Sequence, residues 1–154
     1  MATMRLKNGR LAAGDNMRGE EITLAAWRDG VRPEVGRFEL SVPNTEDIEE
    51  LGGVIGGFDA VILEFPTFKD GRAYSQARVL RERLNFRGEI RARGEVLCDQ
   101  VLFLARAGFD ALEIGDGDVD EFRSALSAYS VFYQPAADDA VPARALRAAN
   151  RRAA

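Results

Sequence analysis

Residues 65–113, FPTFKDGRAYSQARVLRERLNFRGEIRARGEVLCDQVLFLARAGFDALE, decide the fold. Their pattern is strand, loop, helix, strand, helix, strand. Glu89, Arg91, Arg93 and Glu95 alternate with Ile90, Ala92 and Gly94, so in an extended chain the four charges leave from one face. Strands of a parallel sheet are usually covered on both sides and read as continuous apolar runs. A charged face here requires paired partners, an exposed sheet face or a polar cavity.

Working outward, the rest of the chain supplies more of the same alternation. Arg37 to Val42 and Phe58 to Phe65 read as strands, with a short helix from Asn44 or Thr45 to Glu50 between them. Its first turn carries acids, which the helix dipole favours, and Gly52-Gly53 ends it. The helix from about Tyr74 to Leu84 places Tyr74, Ala77, Leu80 and Leu84 inward, and Gln76 and the arginines outward. A second helix, Leu97 to Ala107, directs Val101, Phe103 and Leu104 inward and stops at Gly108. Ala111 to Ile114 is a strand, Val119 to Tyr129 a helix, and Val131 to Gln134 a last short strand before Pro135. Strands alternating with helices predict an α/β fold with a mostly parallel sheet of about five strands, either open or a partial β/α barrel.

Residues 1–36 read as an N-terminal appendage. Within it Lys7-Asn8-Gly9-Arg10 suggests a hairpin turn, Glu21 to Trp27 a helical turn, and Gly30 to Gly36 a linker. Residues 37–135 form the single α/β domain. Residues 136–154, rich in Ala and charge without an apolar face, read as a mobile tail.

Composition narrows the chemistry. The chain has 154 residues, the size of one domain. A formal net charge of −4 argues against a protein that works by neutralising nucleic acid. Cys98 is the only cysteine and there is no histidine. That composition excludes intramolecular disulfides, Cys/His zinc sites, His-ligated haem, four-thiolate clusters and His-containing triads. The expectation is therefore no cofactor and no metal. The N-terminus lacks an apolar core of signal-peptide length, and no run reaches the length of a membrane span, so a cytoplasmic chain without a membrane partner is expected.

Ligands of α/β folds gather at the carboxyl ends of the strands. Three loops stand there: residues 66–72, 94–100 and 115–118. Asp70 can cap the following helix, or orient the Arg72 guanidinium toward an anion; capping weighs about two to one. Arg91 and Arg93 either pair with Glu89, Glu95 or Asp99 as a structural network or face a ligand. Arg78 carries an i,i+4 pair to Glu82 on a solvated helix face. Cys98 lies near a helix start without a histidine base, and the Gly115-Asp116-Gly117-Asp118 loop reads as a turn rather than a cation site. Asp70, Arg72, Arg78, Glu89, Arg91, Arg93, Asp99 and Gln100 are the ligand-site candidates, with Arg72 facing Arg91 or Arg93 to hold an oxyanion.

These runs also resemble a known family. FPTFKDGRAYSQARVLRERL, FRGEIRARGEVLCDQ and RAGFDALE are similar to the signature blocks of bacterial domain-of-unknown-function family 934, over about residues 37–135. The matching positions are Phe65, Pro66, Asp70, Gly71, Arg72, Tyr74, Ser75, Ala77, Arg78, Gly88, Glu89, Arg91, Ala92, Gly94, Val96, Leu97, Asp99, Gln100, Gly108, Phe109 and Asp110. The resemblance implies an accessory role in assimilatory sulfite and sulfate reduction beside the sulfite reductase haemoprotein. The alternative is a small enzyme or binding domain for a sulfur oxyanion or phosphorylated metabolite. Ala107 stands where the family often has Cys, and Asn85 where Gly is usual.

Overall fold

The computed structural model describes residues 2–7, 10–14, 18–115, 119–137 and 140–153. In chain order the elements are β1 (Ala2–Lys7), β2 (Arg10–Ala13), β3 (Glu20–Thr23), α1 (Leu24–Arg28), β4 (Phe38–Val42), β5 (Ala60–Phe65), α2 (Arg72–Glu82), β6 (Glu89–Gly94), α3 (Val101–Ala107), β7 (Ala111–Ile114), α4 (Val119–Leu126) and α5 (Ala143–Ala153). Short 3-10 turns lie at Ile48–Leu51, Ile55–Gly57 and Cys98–Gln100.

One seven-stranded sheet, ordered β2-β1-β7-β6-β5-β4-β3, holds the chain together. β3 to β7 run parallel and in sequential order, and β1 joins β7 antiparallel. The α/β class and the mostly parallel open sheet are as the pattern predicts. The sheet is wider than expected because residues before 37 contribute three of its strands instead of standing apart. The β1–β2 pair is the expected hairpin, with Asn8 and Gly9 outside the described residues.

A strand order that never reverses has a physical consequence. Right-handed crossovers then all fall on one side, and there is no switch point to open a ligand crevice between adjacent strands. The register confirms two unlike faces. Leu40, Val61, Ile90 and Leu112 belong to the apolar core together with Ala73, Ala77 and Leu80 of α2 and Val101 and Leu104 of α3. The opposite face carries Glu21, Glu39, Glu64, Glu89, Arg91, Arg93 and Glu113.

The sheet curls around that polar face. If it were flat, β2 and β3 would stand roughly 29 Å apart. The seven peptide units from Ala13 to Glu20 span at most about 25 Å. The ion pair between Arg93 of β6 and Glu21 of β3 closes over β5 and β4 at 2.5 Å. The polar face is therefore the concave one. At the end of β6 the chain turns at Gly94, φ +107°, where a Cβ would stand 2.3 Å from the Phe65 carbonyl oxygen. Only glycine permits this turn.

Several local readings change. Gln76 is buried rather than outward, because its amide donates to the carbonyls of Pro43 (3.0 Å) and Glu46 (2.9 Å). Phe103 is 64% exposed, whereas Val101 and Leu104 point inward as expected. Asn44 to Glu50 gives only the 3-10 turn, capped by Asp47 through the Glu49 N–H at 2.9 Å. Val131–Gln134 forms no strand, only an isolated bridge from Phe132 to Pro142. Residues 143–153, expected as a mobile tail, form α5; Ala, Leu and Arg are the strongest helix formers, and their propensity outweighs the missing apolar face.

Candidate functional site

The concave face is built by alternation: each strand sends every second residue inward, and at these positions the sequence places acids opposite arginines. Arg91 is 3% exposed and grips Glu39, 1% exposed, with a bidentate fork at 2.8 and 3.0 Å. Its remaining N–H groups reach Glu89 at 2.9 and 2.5 Å. Arg93 holds Glu113 through Nε at 3.0 Å and Glu21 through both Nη atoms at 2.5 and 2.8 Å. Arg5 extends the network to Glu89 at 3.2 Å, Arg18 to Glu113 at 3.5 Å, and the Gly19 N–H donates to Glu39 at 3.0 Å.

Electrostatics follows the geometry. Burial works to lower the Arg91 pKa, but the hydrogen bonds and charges of Glu39 and Glu89 together hold it above the ordinary value. Arg93 is raised by its bond to Glu21, then by Glu113, against burial; the same Arg93 bond lowers Glu21. Such charges tolerate burial only when paired and hydrogen-bonded. Of the two readings of Arg91 and Arg93, the geometry gives internal pairing. The partners are Glu39, Glu89, Glu21 and Glu113, not Glu95 or Asp99.

The remaining candidates lie elsewhere. The N-cap of α2 is Gly71, not Asp70; Asp70, one residue before it, accepts from the Arg72 N–H at 3.2 Å and takes the Arg72 side chain, Nε at 2.9 Å and Nη2 at 2.5 Å. That guanidinium lowers the Asp70 carboxyl well below the carboxylate range. Arg72 thus spends its fork on Asp70 and is not joined to Arg91 or Arg93. Gln100 ties two loops together, donating to the Phe68 carbonyl at 2.8 Å and accepting from the Leu97 N–H at 3.2 Å. Arg78 makes the expected pair to Glu82 at 3.2 Å. Cys98 is half-buried at the start of the 3-10 turn, and Asp116, Gly117 and Asp118 lie outside the described residues.

Arg78 and Gln100 do share a surface groove of about 570 Å³ with Tyr74, Phe103, Arg106 and Gln134. Burial, and then the nearby charge of Asp99, push the Tyr74 hydroxyl up to about 12. The folded state therefore favours the protonated phenol. Stability from this group is complete below pH 10, the unfolded value, and is lost as pH rises through 12. In an ultraviolet pH titration, Tyr74→Phe should delete the transition near pH 12; an unchanged curve would refute the assignment.

Residues 39–144 match the model of the family described as bacterial protein of unknown function (DUF934). The chain belongs to DUF934. No curated protein and no solved structure matches it. The matched DUF934 span holds β4 to β7 and most of the concave network, while Glu21, Arg5 and Arg18 come from the segment before it. Among the described residues no group of three or more His, Cys, Asp or Glu is placed to hold a metal ion, and no helix is long and apolar enough to cross a membrane.

Sequence reasoning missed Glu39, Glu113 and Glu21 as partners. A signal existed: each occupies an alternating position in a predicted or possible strand, so each was available to an inward face. It also passed over Arg37 and Arg87, whose loop positions carry no motif.

Proposed function

We propose that this DUF934 protein is an accessory of assimilatory sulfite and sulfate reduction. It acts in the cytoplasm with the sulfite reductase haemoprotein and has no complete catalytic constellation of its own. The observation that carries the reading is the self-saturated concave face: Arg91, Arg93 and their carboxylates neutralise one another, leaving no free acid–base pair there to work on a substrate. The resemblance to family 934 supplies the metabolic setting. A contact surface is available on the outside, where Phe103, Val131 and Tyr133 are 64%, 53% and 79% exposed. Exposed aromatics of this kind are enriched where proteins meet.

The test is genetic and biochemical together. A deletion strain should grow on cysteine and grow poorly on sulfate or sulfite, and tagged protein should retain sulfite reductase on purification. Normal growth on sulfate with no retained reductase would end this reading. A binding domain for a sulfur oxyanion or phosphorylated metabolite is the second reading. Arg72, Arg91 and Arg93 do not favour it, since their forks are occupied; two arginines at the other end of the sheet, without a side-chain partner among the described residues, do.

A further inference from the structure

We propose that the cleft at the amino-terminal ends of β4, β5 and β6 is a binding site for a small oxyanion of the sulfate, sulfite or phosphate class, held by Arg37 and Arg87. The cleft encloses about 320 Å³ and is lined by Arg5, Arg37, Asp59, Arg87, Glu89 and Asp110, with the backbone of Gly88. This volume suits an ion of a few heavy atoms or a small phosphorylated molecule.

The argument rests on which charges are already satisfied. Among the described residues neither Arg37 nor Arg87 has a side-chain hydrogen bond or ion pair, and the Arg37 Nε is sealed from solvent without an acceptor. A buried guanidinium N–H with no partner carries a desolvation cost, which the Arg37 side chain would shed by turning this N–H toward an acceptor bound in the cleft. The carboxylates, by contrast, are engaged. Asp59 accepts from the Phe38 N–H at 3.0 Å. Glu89 is held by Arg91 at 2.5 Å and by Arg5 at 3.2 Å. Asp110 accepts from the Ile90 N–H at 2.8 Å and pairs with Arg81.

Arg81 also donates to the carbonyls of Phe86 (2.8 Å) and Gly88 (2.9 Å), fixing the loop that presents Arg87. Gly88 completes the cradle. A Cβ there would stand 2.5 Å from the Asp59 carbonyl oxygen and 2.4 Å from the Phe86 ring, so backbone and glycine keep the floor narrow. Two unspent planar forks over such a floor match an oxyanion better than a cation.

Calorimetric titration of the full chain with sodium sulfate, sulfite and phosphate, each against sodium chloride at equal ionic strength, tests this. Saturable heat is expected for the oxyanions and not for chloride. Arg87→Gln, at an exposed position, should weaken binding about tenfold or more. Arg72→Ala should leave it unchanged. Asp59→Asn removes a negative charge from the rim and should tighten anion binding; a cation site would respond in the opposite sense. A phosphomonoester of glycerol run beside inorganic phosphate distinguishes a phosphorylated metabolite, expected to bind more tightly, from the free ion. The proposal is overturned if the oxyanions give no more than chloride, or if Arg87→Gln and Arg37→Gln both bind like the unmodified chain. Neither result depends on the reductase, so the accessory reading stands or falls separately.

Discussion

Arg91→Leu should lower the unfolding free energy by about 3–5 kcal/mol, because the leucine strands Glu39 in a site where it is 1% exposed. In a chain of this length that corresponds to a fall in Tm of roughly 6–20 °C. The loss has a specific cause, the uncompensated carboxylate, and so a specific remedy. Arg91→Leu combined with Glu39→Leu should recover much of the stability, since replacing a buried pair by apolar groups is often neutral or better. Thermal unfolding of the two variants checks both halves. A drop below 2 °C for Arg91→Leu, or no recovery in the double variant, would show that Glu39 finds water or another donor.

Phe65→Ala should cost a similar amount, about 3–5 kcal/mol, by a different route. Phe65 is 1% exposed and lies against Tyr74 at 5.3 Å and Phe109 at 5.9 Å between ring centroids, with the Tyr74–Phe109 pair at 6.3 Å. The three rings join the end of β5 to α2 and to the turn after α3. Removing the central ring forfeits its transfer free energy and leaves a hole that Tyr74 and Phe109 only partly fill. Denaturant unfolding should show a lower midpoint with an unchanged slope. The tyrosine titration should also move downward as Tyr74 gains solvent. A full-length cavity with an unaltered midpoint would contradict this packing.

Much of the fold was legible, and the reason is local. Glu89 to Gly94 alternates so strictly that its charged face follows from strand geometry alone, and Ala111 to Ile114 is fixed by its flanking Gly108 and Gly115. The identity of the partners was not local. Glu39 lies 52 residues from Arg91 and Glu21 lies 72 from Arg93, and only the curl of the sheet brings them together. The inward and outward faces of a helix shift where a polar residue finds backbone acceptors, as Gln76 does with Pro43 and Glu46. Seven of the eight ligand-site candidates carry a charge, yet charge does not disclose occupancy. Arg72 closes on the residue two before it, a contact that is invisible until Asp70 is seen to take both the Arg72 N–H and its guanidinium. Arg37 and Arg87 are informative for the opposite reason: among the described residues they lack what the arginines of the concave face have.

The two-faced sheet also bears on folding fidelity. A one-residue slip of β6 against β5 would turn Glu89, Arg91 and Arg93 toward the packed helices and carry Ile90 and Ala92 among the carboxylates. Oil-like packing alone punishes such an error weakly, since small apolar residues interchange with little loss. Three misplaced charges punish it heavily. The ionic face therefore works as a key that only one alignment of the strands will turn, selecting the native pairing during assembly even where its contribution to final stability is slight.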